Sequence, residues 1–168
     1  GNKTITSGGG GAIITNNEEW AKRAKHITTT AKAPHAWHFF HDEIGYNYRM
    51  PNINAAIAVA QLEQLSVIIE NKRQTADFYK SEFAKNGIHF VEERLGTSSN
   101  YWLNTLLMND KDERDAFLAF SNNEQVMTRP AWVLMNRLPA FKECQHDGLQ
   151  TSLWLEERII NIPSSYIP

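Results

Sequence analysis

Cysteine, long apolar runs and net charge are all scarce in this sequence. The one cysteine, Cys144, cannot form a disulfide within the chain, which favours a reducing, cytoplasmic location. There is no uninterrupted run of about 18 apolar residues, so the sequence predicts no membrane-spanning helix. The formal net charge is −2, with acidic and basic residues interspersed, which argues against a nucleic-acid-binding surface.

What is present is the composition of an ordinary globular protein. The 168 residues are 42% hydrophobic, enough for a domain with a hydrophobic core. Residues 4–15 combine β-branched residues with four consecutive glycines and predict two short strands around a turn. A start at Asn16 and Asn17, with acids in the first turn, predicts a helix over 18–26. Residues 28–50 are irregular and aromatic, which is typical of functional segments or interfaces.

The strongest helical pattern begins at Pro51. Apolar residues recur at helical spacing as far as Phe83, and Gly87 is typical of a helix end. At about 1.5 Å per residue this helix would be ~50 Å long, so we expect it to link two structural units. The rest of the chain predicts a small α+β domain with a mostly antiparallel sheet. Its expected elements are strands over 88–93, 101–108 and 126–132, a helix over 110–120 and a short helix between 143 and 162.

The glycine run, Gly8 to Gly11, does not match the usual phosphate-binding patterns. A P-loop would continue into lysine and a hydroxyl residue, and a dinucleotide fingerprint would lead from a strand into a helix. Here the glycines precede a β-rich run, AIIT. Composition alone therefore favours a flexible hairpin loop, with Lys3 as a solvated terminal lysine.

Three histidines at three-residue spacing suggest a metal-binding alternative. His35, His38 and His41 could lie on one helical face, but Pro34 precedes them and no cysteine or acid completes a usual zinc pattern. Packing at an aromatic interface is the better interpretation, and we predict no metal site.

Two sequence blocks, taken together, resemble a known enzyme family. Residues 2–15 read NKTITSGGGGAIIT and residues 45–58 read GYNYRMPNINAAIA. These blocks and the distance between them resemble the cofactor-lysine segment and the Gly-Tyr-Asn-Tyr-Arg-Met signature of the DegT/DnrJ/StrS-type sugar aminotransferases. These are fold-type I enzymes that use pyridoxal 5′-phosphate (PLP). TRPAW at 128–132 and NIPSS at 161–165 resemble later motifs of the family.

The all-glycine form of the first block resembles a subset of the family that acts on N-acetylated nucleotide sugars. The nearest relatives that this form suggests are aminotransferases of the bacillosamine and legionaminic-acid pathways.

The resemblance implies roles for four residues. Lys3 would form the Schiff base with PLP and then move a proton, and Asn47 would reach the cofactor phosphate of a neighbouring subunit. Arg129 and Trp132 would line the sugar-nucleotide site. The implied reaction moves an amino group from glutamate to a keto-sugar nucleotide, in a homodimer with shared active sites. PLP would act as the electron sink, while the protein supplies orientation and electrostatics.

The resemblance also implies a domain arrangement within an α/β parent enzyme. Residues 1–51 would end the large cofactor domain, residues 52–87 would form the long linking helix, and residues 88–168 would form a small α+β C-terminal domain. In the family, a preceding domain carries the acid that pairs with the pyridine nitrogen and most phosphate ligands. None of these can be assigned here, so we expect that the chain alone does not hold PLP productively.

A non-enzymatic alternative stays open. The chain could be an inactive fragment that acts only as an oligomerisation or interaction module, with the aromatic segment 35–50 as its interface. The sequence does not identify the sugar, the nucleotide or the position that is aminated.

Overall fold

The computed structural model describes residues 3–167, which fall into unit 1 (Gly1–Leu65) and unit 2 (Ser66–Pro168). Asn2, part of the first sequence block, lies outside the described residues. The domain boundaries implied by the resemblance stay predictions.

Helix α1 (Glu18–Thr28) forms where the sequence predicts it. The Asn17 side chain accepts a hydrogen bond of 3.0 Å from the backbone N–H of Trp20, and Glu18 and Glu19 lie in the first turn. Both features stabilise a helix N-terminus. The helix continues two residues beyond the predicted end.

The two strands predicted over 4–15 are absent from the described structure, where these residues form bends and extended chain. A strand needs a neighbouring strand to satisfy its backbone N–H and C=O groups. No other segment of the described chain pairs with this one, and the Ile14 side chain is 93% exposed. A β-rich composition alone therefore did not produce a strand.

The prediction of a single helix over 52–87 is also wrong. The structure has two helices, α2 (Asn52–Glu63) and α3 (Leu65–Lys85), separated by Gln64 at φ −100° and ψ 1°. Neither proline nor glycine marks the break. Side chains of α2 bind Thr6 and Ser7 of unit 1, just before the glycine run, whereas α3 packs Ala76 into the core of unit 2. The two helices thus stabilise different units.

Among the described helices, none is by itself both long enough and apolar enough to cross a membrane. Only α2 and α3 counted together, as a broken pair, meet that test of length and composition.

The predicted helix end at Gly87 is confirmed in atomic detail. Gly87 has φ 73°, its N–H donates to the Ala84 carbonyl, and the Ile88 N–H donates to the Phe83 carbonyl. This pair of bonds is the Schellman motif, which needs a left-handed residue at the position of Gly87. Ile88 and Phe83 both pack against the core of unit 2, as the motif favours.

Unit 2 contains a four-stranded antiparallel sheet in the order β1-β2-β4-β3. The strands are β1 (His89–Phe90), β2 (Asn104–Leu107), β3 (Arg129–Pro130) and β4 (Ile159–Ile162). The antiparallel sheet is as predicted, but the strands are shorter, and β4 falls where the sequence predicts only a helix. Pro130 lies on the edge strand β3, where its missing N–H does not interrupt the ladder.

The core of unit 2 lies on one face of this sheet. Leu106 of β2 pairs with Ile160 of β4, and both side chains are fully buried. Helix α4 (Lys111–Asn123) packs Phe117 and Leu118 against them, and its predicted start is confirmed because Asp110 caps it. The remaining elements are two 3-10 turns (Met135–Arg137 and Pro139–Phe141) and helix α5 (Gln150–Glu156).

Candidate active site

Lys3 is exposed and begins an irregular segment that is half-buried at residues 4–7, where two side chains of α2 hold it in place. The Asn54 amide donates a 2.6 Å hydrogen bond to the Ser7 carbonyl, and the Thr6 N–H donates to the Gln61 side-chain oxygen at 3.3 Å. Asn54 and Gln61 are seven residues apart, so they share one face of the helix. The position of the lysine segment therefore depends on α2.

The structure brings the two sequence blocks together at the glycine run. A Cβ atom on Gly10 would lie 2.5 Å from the Met50 methyl group, and one on Gly8 would lie 3.4 Å from the Asn54 amide nitrogen. Gly10 also has φ 119°, a backbone conformation that favours glycine at this contact.

Asn47 lies in a short extended segment that is hydrogen-bonded to the end of α1. The N–H groups of Tyr46 and Tyr48 donate to the carbonyls of Ile27 and Thr28 at 2.7 and 2.9 Å. The Tyr46 and Tyr48 rings stack 5.3 Å apart. Side chains alternate along an extended chain, so Asn47 projects away from this tyrosine pair. Its amide is exposed and available to a ligand.

Gly45 packs against the backbone that follows α1. A Cβ atom at this position would lie 2.5 Å from both the Thr30 carbonyl carbon and the Ala31 nitrogen. Thr30 and Ala31 have positive φ values of 71° and 49°, and Ala31 is fully buried. This contact fixes the chain two residues before Asn47.

An ion-pair network connects α1 to the same segment. Arg23 binds both carboxylate oxygens of Glu43, and His26 Nε2 lies 2.7 Å from an Asp42 oxygen. The hydrogen bond from Arg23 lowers the pKa of Glu43, and that from His26 lowers the pKa of Asp42. His26, Asp42 and Glu43 place three potential metal ligands within 4.8 Å of one another. These atoms are already engaged in direct ion pairs.

The three histidines considered for a metal site are not brought together as ligands within the described part of the chain. His35 Nδ1 accepts hydrogen bonds from the N–H groups of Trp37 and His38, and its ring stacks on that of His38 at 4.6 Å. His41 Nδ1 instead donates to the Thr30 carbonyl. The aromatic side chains here are largely exposed, with Trp37 at 73% and Phe39 at 81%.

A cleft of about 880 Å³ lies beside the glycine run in unit 1. Its walls are residues 9–13, one face of α1 from Ala21 to Thr28, and the segment from Tyr48 to Pro51 together with Asn54. Lys3 and Asn47 are not among the lining residues.

Arg129 and Trp132, the predicted substrate residues, both lie in unit 2. Arg129 is exposed on strand β3, and its one polar contact in the described chain is the Met127 sulfur at 3.2 Å. Trp132 is 68% exposed and stacks on Trp102, with ring centroids 6.2 Å apart and planes inclined by 26°.

Sequence reasoning missed the residues that support these positions. Trp102 gave no signal because it lies inside a predicted strand. Lys72, a lysine within a helical pattern, gave no signal either, yet it is 6% exposed and its ammonium donates to the Ser164 carbonyl. Burial lowers the pKa of Lys72. Asn54 and Gln61 were detectable in principle, as polar residues seven apart within a mostly apolar helix.

Comparison with solved structures defines the fold. The sugar aminotransferase CalS13 from Micromonospora echinospora superposes with a TM-score of 0.81 at 19% identity, over 98% of this chain and 45% of that one. The fold is therefore that of an α/β aminotransferase.

The chain belongs to the DegT/DnrJ/EryC1/StrS aminotransferase family, whose model matches residues 1–166. Enzymes of this family are PLP-dependent. The chain is 35% identical to the GDP-perosamine synthase of Vibrio cholerae, over 98% of this chain and 45% of that protein. It is 36% identical to the GDP-perosamine synthase of Escherichia coli O157:H7, over 98% of this chain and 44% of that protein. The chain thus spans less than half the length of these relatives.

Proposed function

We propose that this chain is the lysine-bearing part of a PLP-dependent sugar-nucleotide aminotransferase. The reaction moves an amino group from glutamate to a keto-sugar nucleotide. The observation that carries the proposal is the meeting of the two family blocks at Gly10 and Met50. That contact, together with the Asn54–Ser7 hydrogen bond, ties the segment of Lys3 to the block that contains Asn47.

The residues of unit 1 fit part of the cofactor. Lys3 offers a primary amine to the cofactor aldehyde, Asn47 offers an exposed amide to a phosphate, and the space beside Gly9 and Gly11 is open. The pyridine nitrogen needs a carboxylate partner as well. Asp42 and Glu43 are poor candidates, because His26 and Arg23 already bind them.

When bound, PLP supplies the electron sink that protein side chains lack. Lys3 would hold the cofactor through its primary amine and would then serve as the base that moves a proton at the substrate carbon. Asn47 orients the phosphate end, as a donor to the cofactor of a neighbouring subunit in a homodimer. Without an assigned carboxylate for the ring nitrogen, we expect this chain alone to attach the cofactor without turnover.

The names of the two relatives favour a GDP-linked keto sugar as the amino acceptor. Arg129 and Trp132 are our candidates for contacts to this substrate. The N-acetylated sugars suggested by the all-glycine run stay a prediction.

The proposal is tested by exchanging the matching segment of the Vibrio cholerae GDP-perosamine synthase for this chain. We expect the chimera to transfer the amino group of glutamate to the keto sugar of that enzyme, and Lys3→Arg to abolish the transfer, because a guanidinium cannot replace the amine. The matched control is Lys22→Arg, since Lys22 is an exposed lysine paired with Glu18.

One result would count against the role of Lys3, and a second against the expectation that the chain alone does not turn over. Transfer that survives Lys3→Arg would remove Lys3 from its role. Turnover by the 168-residue chain alone, with the visible absorbance of lysine-bound PLP, would refute the expectation that a carboxylate partner is missing from this chain.

The exposed aromatic segment supports a second candidate function, an oligomerisation module without catalysis. Trp37, Phe39 and Phe40 are each more than 60% exposed, and exposed apolar clusters often mark interfaces. Light scattering should then show a dimer that Phe39→Ser weakens. A monomeric wild-type chain at micromolar concentration would argue against this candidate.

A further inference from the structure

We propose that Trp102 and Trp132 form a stacking platform for the guanine ring of a GDP-linked sugar. The inference rests on the proposed function, which supplies the nucleotide. It adds Trp102, a residue that the family motifs do not mark, and it assigns the aromatic pair to the base rather than to the sugar.

The geometry of the two indoles suits a planar ligand. The rings are nearly parallel, and Trp132 leaves two thirds of its surface exposed to solvent. A nucleobase covers such a surface by stacking, which every base can do because every base has a π-face. A second stacked indole keeps the first from rotating freely, and this lowers the entropy cost of binding.

The backbone of Trp102 is held firmly from both sides. Its N–H donates to the Asn100 side-chain oxygen at 3.0 Å, and its carbonyl accepts a 2.6 Å hydrogen bond from the Ser164 hydroxyl. The Ser164 carbonyl in turn accepts from the buried ammonium of Lys72. Asn71, the neighbour of Lys72, makes two hydrogen bonds to the backbone of Ile167. The C-terminal segment is thus fastened to α3 and supports the platform.

A cation suited to the diphosphate lies nearby in the chain. Arg129 is exposed and has no carboxylate partner in the described residues, whereas Arg137 is paired with Glu156 at 2.7 Å. Three residues of extended chain reach about 10 Å. The Cα atoms of Arg129 and Trp132 are therefore no farther apart than the diphosphate and the base of one nucleotide.

The test is a calorimetric titration of the purified 168-residue protein with GDP, and separately with pyrophosphate, which lacks the base. We expect Trp132→Leu to weaken GDP binding roughly 10-fold, the scale of one base–aromatic stack. Trp132→Phe should restore most of the affinity. Pyrophosphate binding should not change in either variant, but should weaken in Arg129→Gln.

The control variant is Trp154→Leu, because Trp154 is also half-exposed but is covered by Arg158 at 4.7 Å. It should bind GDP like the wild type. Failure of the wild type to bind GDP, or unchanged GDP affinity in a folded Trp132→Leu variant, would overturn the platform. So would an equal loss of GDP and pyrophosphate binding.

These titrations need neither PLP nor a keto sugar. The platform can therefore fail while amine transfer by the chimera succeeds, and the reverse result is equally recognisable.

Discussion

Gly45→Ala should strongly destabilise unit 1. The new Cβ atom would lie 2.5 Å from two backbone atoms of Thr30 and Ala31, so the backbone must move about 0.9 Å to reach an ordinary contact of 3.4 Å. Two hydrogen bonds oppose that movement: the Ala31 N–H to the His26 carbonyl at 2.8 Å, and the Thr30 N–H to the Tyr46 carbonyl at 3.0 Å.

The magnitude follows from these contacts. A displacement of this size breaks or badly distorts both hydrogen bonds, each worth about 0.5–1.5 kcal/mol. Overpacking of a tight site costs a similar ~1–3 kcal/mol. The two estimates describe one distortion, so we expect the free energy of unfolding to fall by about 2–3 kcal/mol.

The assay is urea unfolding combined with amide hydrogen exchange at Thr30 and Ala31, because exchange reports on unit 1 even if unit 2 unfolds separately. The matched control is Gly11→Ala, where a Cβ atom meets nothing within 4 Å. The free energy of unfolding of Gly11→Ala should lie within about 0.5 kcal/mol of the wild-type value. A Gly45→Ala variant as stable as this control would refute the steric argument.

Three further predictions concern other contacts. Hydrogen bonds from Arg73 and the Ser99 N–H lower the pKa of Glu93 from 4.5 to about 2. The ionised Glu93 therefore adds its full stability above pH 4.5, and this contribution is lost as the pH falls from 4.5 towards 2. The difference in unfolding free energy between the wild type and Glu93→Gln should shrink over that range, and a constant difference would contradict the assignment. Gly87→Ala should cost about 1 kcal/mol in urea unfolding because of its φ of 73°, and a neutral effect would argue against the Schellman turn. Asn54→Ala should lower the free energy of unfolding by about 1 kcal/mol and speed amide hydrogen exchange in residues 7–11. Unchanged exchange would mean that α2 does not hold the glycine run.

Features with local causes were predictable from the sequence. Asn17 and Asp110 cap helices through their own side chains, and Gly87 ends α3 through its own φ value. Each of these helix caps and ends depends on only a few neighbouring residues. The structure confirms all three.

Features that depend on distant partners were not predictable from the pattern. Residues 4–15 have the composition of strands, but no strand pairs with them in the described chain. The break between α2 and α3 at Gln64 contains no glycine or proline from which it could be predicted. It separates helices that stabilise different units.

The candidate site likewise contains some residues that the sequence indicated and others that it did not. Lys3 and Asn47 came from resemblance to family motifs, not from periodicity. The side chains that hold the Lys3 segment, Asn54 and Gln61, are ordinary polar residues whose role depends on contacts about 50 residues away in sequence.

The role of Lys3 is tested most directly by trapping PLP on the protein. The chain is incubated with PLP, reduced with borohydride, digested and mapped by mass spectrometry. We expect the label on Lys3 in preference to Lys22 and Lys25, and its loss from that peptide in Lys3→Arg. A label spread equally over the exposed lysines, or absent from Lys3, would contradict its role as the cofactor lysine.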